Sequence, residues 1–280
     1  MMDRDDLLGR TMSLAEEGDW AGAVELLREH LEDFDEDPAV HCWLGVAERE
    51  LGTEGVPYLC FKRALALQPE DPYVLAIAGN GIAYFDDPGA EQALRAAALT
   101  APDVALGRLM YGAYLAREGF HEDGVRELCA ARDIDPDDPQ IAYELGVAYA
   151  LSGAHDDATD ALADAVRLDP EDGWSRVVLG LELLEAERLE EAAGELLHGA
   201  RLRDGDVDAQ LAAALAAAAT GRDELAYEMI ARAKLEVVDG DLALTAAVED
   251  RLESGPQAAE SMLHEDIAPN MLRARLRERP

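Results

Sequence analysis

Lysine is almost absent from this chain: Lys62 and Lys234 are the only two. Asparagine is as rare, at Asn80 and Asn270, and aromatic residues make up 5%. Acid is abundant by contrast, with 60 Asp+Glu against 24 Lys+Arg and a formal net charge of −36. An acid excess that leaves arginine but removes lysine is the composition of proteins that work in molar salt. At ~1 M salt the Debye length falls to roughly 3 Å, and self-repulsion is screened. The same field repels nucleic acid and anionic membrane surfaces.

Cysteine is also scarce. Cys42, Cys60 and Cys129 are odd in number and show no CxxC spacing, which argues against a disulfide framework and a zinc site. Each lies in a helical apolar pattern, where cysteine behaves as a small buried hydrophobe. No run reaches the roughly 20 apolar residues of a membrane span. The stretch Ala209 to Ala219 is too weakly apolar and contains Gln210. The start, Met1-Met2-Asp3-Arg4-Asp5-Asp6, lacks the cationic and apolar regions of a signal peptide, so a soluble cytoplasmic protein is expected. Strands are not indicated, and no Gly-rich phosphate loop follows one. The histidines, His30, His41, His121, His155, His198 and His264, are scattered and form no HExxH. Acids are so common that a pair of them signals nothing. No catalytic residue, metal or cofactor is expected, and the chain reads as a non-enzyme.

What the sequence does contain is a period. Gly45, Gly79, Gly112, Gly146 and Gly180 recur every 33–34 residues, and Pro69, Pro102, Pro136 and Pro170 recur in step. A fixed period of this length indicates a solenoid of stacked hairpins. In the copy from Asp138 to Pro170, Leu145-Gly146 and Tyr149 share one helix and Gly153 begins a turn. Ala158, Leu162 and Ala165 then line one face of a second helix, which Asp169-Pro170 stops. Gly146 and Ala158 are small where the two helices cross.

These residues resemble the tetratricopeptide repeat (TPR) family. Tyr111-Gly112, Leu115, Gly119, Gly124, Leu128, Ala131 and Pro136 fit its pattern, as do Leu44-Gly45, Gly52, Phe61, Ala64 and Pro69. The sixth copy departs from it, with Gly199 in place of Ala and Asp204 in place of Pro; the first is looser, with Thr11 for the early Gly. The resemblance implies an all-α, right-handed superhelical solenoid of about seven TPR-like hairpins over residues 4–238. Residues 239–280 form a C-terminal capping helix and an Arg-rich tail. Pro57 is expected to delay its helix, and Asp86-Asp87-Pro88-Gly89 to make a turn before the next one. Asp241 to Leu252 reads as a capping helix, and the segment from Gln257 as a further helix or frayed tail broken near Pro269.

The resemblance also implies a site. TPR proteins line a concave groove with the first helix of each hairpin. The matching places here include Val46, Arg49, Tyr73, Asn80, Leu106, Leu109, Gln140, Tyr143, Val147, Trp174, Val177 and Leu181. So apolar a row on an acidic chain suggests a protein or peptide partner, an apolar or amphipathic segment docked in the groove. The other outcome is that tight superhelical winding, or the chain's own C-terminal segment, buries the row. The Lys and Asn clamp with which one TPR branch grips a peptide carboxylate is missing. A second reading rests on Arg273, Arg275, Arg277 and Arg279, which could contact an acidic partner or nucleic acid. Its bland counterpart is a cationic helix end docked on the chain's own acidic body.

Overall fold

The acidic residues of the repeat connections begin helices. Asp37, Asp71, Asp138, Asp172 and Asp206 each sit at an N-cap, and their carboxylates accept from backbone N–H groups of the first turn. Asp37 Oδ1 accepts from Ala39 at 2.9 Å, and Asp172 Oδ1 from Trp174 at 2.9 Å. Each such cap satisfies an otherwise orphaned donor and is worth ~1 kcal/mol. Pro38, Pro72 and Pro139 follow in the first helical position, where a missing N–H costs nothing.

The computed structural model describes residues 2–236 and 242–280. Seven hairpins succeed one another. They are α1 (Arg4–Glu16) with α2 (Trp20–His30), α3 (Pro38–Glu50) with α4 (Val56–Ala66), and α5 (Pro72–Ala83) with α6 (Gly89–Thr100). Next are α7 (Ala105–Arg117) with α8 (His121–Ile134) and α9 (Pro139–Ser152) with α10 (His155–Leu168). The last are α11 (Gly173–Glu185) with α12 (Leu189–Leu202) and α13 (Val207–Ala219) with α14 (Asp223–Glu236). After them come α15 (Leu242–Ser254), α16 (Pro256–Met262) and α17 (Ala268–Arg277). No strand occurs among the described residues. The boundary expected at residues 238 and 239 lies outside the described residues.

Small residues hold the hairpins closed, as the period implied. A Cβ on Gly146 would stand 2.6 Å from Leu162 Cγ, and one on Gly180 would stand 2.7 Å from Leu196 Cγ. Gly153 ends α9 in the left-handed conformation, with φ 78°. Pro57 lies in the first turn of α4, directly after left-handed Gly55, so the helix starts late and unbroken. Asp87 anchors the turn before α6: it accepts from Gly89 N–H at 2.8 Å, Tyr58 Oη at 2.7 Å and Lys62 Nζ at 2.8 Å.

The expected break at Pro269 does not occur. A π turn, Leu263–Ile267, joins α16 to α17, and Pro269 falls in the first turn of α17. The wider π turn gives the ring the room an α-turn would deny it.

The described residues group into two compact units. The first comprises the chain up to Leu115, together with Arg126–Ile134 and Arg279–Pro280. Its cores gather around Phe61, Val74 and Ile82, and around Leu7, Leu27 and Val40. The second comprises Ala116–Val125 and the residues from Asp135 to Glu278. One apolar cluster runs through it from Val147 to Leu276. Within it Arg117 and Glu144 form a buried ion pair, with Nη1 2.6 Å from Oε2 and Nη2 3.2 Å from Oε1.

Candidate functional site

In the first unit α1, α3 and α5 enclose an open cleft of about 510 Å³. From the expected row, Val46, Arg49, Tyr73 and Asn80 line it, with Ala39 and Cys42 beside them. Leu8 and Met12 of α1, Trp43, Val74, Ile77 and Met110 complete an apolar wall. Tyr73 is 53% exposed, a large aromatic side chain left open to solvent. Leu8 and Met12 stand three places before and one after Thr11, where the same groove pattern falls on α1, although the expected row did not include them. Burial, and then the charge of Asp71, push the Cys42 thiol up to about 12, so it stays protonated and serves as apolar wall.

Arg49 lines both this cleft and a second hollow of about 600 Å³, bounded by Gly52, Gly55, Pro57, Phe61, Gly81, Tyr84 and Phe85. Asn80 and Tyr84 are one helical turn apart. Asn80 is only 4% exposed, and its Nδ2 donates to the main-chain carbonyl of Pro280. The Tyr84 hydroxyl donates to the carbonyl of Arg279. The Arg279 guanidinium lies 5.3 Å from the ring centroid of Tyr114, and Pro280 itself lines the cleft.

In the second unit the corresponding row is covered. Val147, Val177 and Leu181 are completely buried, in one cluster with Met271, Leu272 and Leu276 of α17. Tyr143 and Trp174 pack against that cluster. Burial, followed by the nearby charge of Glu144, pushes the Tyr143 phenol above its ordinary value. Trp174 is stacked between two guanidinium groups: Arg203 stands 3.6 Å and Arg275 3.5 Å from its ring centroid. The groove row and the Arg-rich segment thus meet within one chain. The amphipathic helix expected of a partner is here supplied by α17. Arg275 also pairs with Glu278 at 2.6 Å, whereas Arg273 and Arg277 point into solvent. Of the remaining row, Leu109 is buried, Leu106 is half-buried, and Gln140 is exposed at the start of α9.

Glu182 is a buried acid on α11. Its Oε2 lies 2.9 Å from His155 Nδ1, and desolvation raises its carboxyl pKa more than the histidine lowers it. No group of three or more His, Cys, Asp or Glu among the described residues is arranged to hold a metal. No described helix is long and apolar enough to cross a membrane.

No family model matches the sequence, and no curated protein matches it either. Solved structures do match. Cut9, from the Cut9–Hcn1 hetero-tetramer of the APC/C, superposes with a TM-score of 0.68 at 17% identity over 86% of this chain and 48% of its own. The present chain therefore spans about half of that protein's length. PilF of Pseudomonas aeruginosa gives 0.58 at 16% identity, covering 71% of this chain and 91% of its own. TTC0263, a thermophilic TPR protein of Thermus thermophilus, gives 0.55 at 23% identity, covering 65% of this chain and all of its own, 100%. At such identities the likeness establishes the fold, and with the glycine-marked hairpins it gives one conclusion: this chain has the tetratricopeptide-repeat fold.

Proposed function

We propose that the protein is an interaction scaffold whose open cleft, between α1, α3 and α5, takes an apolar or amphipathic segment of a protein partner. The observation that carries this is the contrast in cover. The second unit's row holds an amphipathic helix, while the first unit keeps an apolar cleft of about 510 Å³ with Tyr73 at its edge. Apolar burial is also the interaction that survives molar salt, where exposed ion pairs contribute little. The Arg-rich segment is the weaker candidate for a contact with an acidic partner or nucleic acid. Arg275 is committed to Trp174 and Glu278, and Arg279 lies beside Tyr114, which leaves only Arg273 and Arg277 facing solvent.

Capture of partners from the native host in molar KCl tests the reading. Tyr73→Ala and Val46→Asp should each deplete the captured protein, since loss of an aromatic anchor can cost ~2 kcal/mol or more. Arg277→Ala should leave it unchanged, and the reverse pattern would favour the arginine-rich segment. The setting itself is open to test. A net charge of −36 should lower the melting midpoint in dilute buffer relative to molar KCl. An unchanged or higher midpoint in dilute buffer would remove the argument from acidity.

A further inference from the structure

Among the described residues outside the repeats, the pair Arg279–Pro280 reaches the first unit's cleft. Three features make this more than a chance approach. Asn80 is nearly fully buried and donates into the cleft, and its acceptor is a main-chain carbonyl. Tyr84, one turn further along α5, takes the adjacent carbonyl. Asn80 and the C-cap residue Tyr84 thus take the main-chain oxygens of two consecutive residues, which are free because the chain leaves α17 at Glu278, where the backbone is extended at φ −63° and ψ 135°; a helix interior would have paired them. Beside them the Tyr114 ring receives the Arg279 guanidinium, and Pro280 faces the apolar wall. The pair occupies one edge of the cleft and leaves the rest open.

We propose that Arg279–Pro280 is a ligand that the chain supplies to itself: it holds a main-chain-reading subsite at Asn80 and Tyr84, and an extended partner segment enters by displacing it. This rests on the scaffold reading of the cleft and adds its regulation and the class of segment it takes. The segment is extended at the subsite, offers the main-chain oxygens of two adjacent residues with an arginine beside Tyr114, and places a proline or similar apolar residue in the cleft. Binding in cis weakens any ligand in trans. A tethered segment is present at an effective concentration on the order of 1 mM, which opposes a ligand of ~0.1 mM affinity about tenfold.

The test uses a fluorescein-labelled peptide of residues 275–280, Arg-Leu-Arg-Glu-Arg-Pro, read by fluorescence anisotropy in molar KCl. Salt at that level suppresses plain attraction of an arginine peptide to an acidic surface, and a scrambled peptide checks that it has. The full chain is compared with one ended after Glu278, which keeps every described helix; equal melting midpoints confirm that it folds. The shortened chain should bind at least tenfold more tightly, and Tyr84→Phe or Asn80→Ala in it should each weaken binding. Tyr84→Phe guards against a folding defect at buried Asn80. The proposal is overturned by equal affinity for both chains, by binding that ignores both substitutions, or by no binding to the shortened chain. It is also overturned by a full-length dimer that is lost on shortening, which would mean exchange of the segment between two copies. An apolar peptide that still binds in a Tyr73-dependent way after any of these results would leave the scaffold reading intact. Failure of every apolar peptide, with no response to Val46→Asp, would remove the scaffold reading itself.

Discussion

The two units differ in what covers the row of first-helix positions, although not at every place: Leu109 of the first is buried and Gln140 of the second is exposed. In the second, Val147, Val177 and Leu181 share one buried cluster with Met271, Leu272 and Leu276 of α17, which packs on α9 and α11, and Arg275 closes over Trp174. In the first, Val46 and Tyr73 face an open cleft, and among the described residues beyond the repeats only Pro280 lines it. A repeat that makes an apolar first-helix face makes it everywhere. What becomes of that face depends on what the chain can bring to it. Where a helix is available the face becomes core; where only two residues arrive it remains a candidate docking surface. An apolar row in a repeat protein is therefore weak evidence of a binding groove until its cover is known.

Breaking the cover in the second unit should give the largest effect. Leu272→Ala removes a buried contact of α17 and is expected to cost about 2–4 kcal/mol. Val46→Ala, at the open cleft of the first unit, should cost less than about 1 kcal/mol. Urea unfolding of both variants compares the two states directly; equal costs would mean that α17 does not act as core. A smaller loss, on the order of 1–3 kcal/mol, is expected for Gly146→Leu, because even its Cβ would meet Leu162 Cγ at 2.6 Å. A wild-type denaturation midpoint would contradict the crossing of α9 and α10 at that glycine.

The stack on Trp174 should come next. Arg275→Ala is expected to lose about 1 kcal/mol of the cover's stability, the scale of a partly desolvated cation–π contact. Arg277→Ala, at an exposed arginine, should lose nothing measurable. Hydrogen exchange of α17 in both variants separates them, and identical protection would show that the stack holds nothing.

The smallest effects come from pH, and they should have opposite signs in the two units. Lys62 first, then Tyr58 and the Gly89 amide, hold the Asp87 carboxyl at about 2. That lies below its unfolded value of ~3.9. Its stabilisation is therefore present above pH ~4 and fades as pH falls toward 2. Asp87→Asn should lower the melting midpoint at pH 7, with the gap closing in acid. Glu182 is shifted the other way by desolvation, so its charge costs stability once pH rises through its raised folded value. Glu182→Gln should raise the midpoint at pH 7 and match the wild type in acid. Shifts of the same sign for both variants would refute one of the two assignments.

Much of this was legible in the residues, some of it only partly. The glycines at the crossings gave the period, and the period gave the hairpins, because only a small residue fits where two helices cross at this distance. The groove positions were legible as places on a helix, but not as open or covered. The acids of the repeat connections carried no reading of their own, although Asp37, Asp71, Asp138, Asp172 and Asp206 cap helices. The Asp-Pro pairs at Asp37-Pro38, Asp71-Pro72 and Asp138-Pro139 carried that signal, an N-cap followed by a proline at the first helical position.

Sequence by itself determined the repeat, its helices and which face of each is apolar, because those follow from spacings of three and four residues and from glycine where no Cβ fits. Tertiary structure alone decided which apolar faces are buried. The packing of α17 on α9 and α11, and the hydrogen bond of Asn80 to Pro280, join residues far apart in the chain, and no local periodicity encodes them. Pro269 was decided in the same way: a proline that ends an α-helix by local rules is carried through here, because a π turn opens the backbone ahead of it.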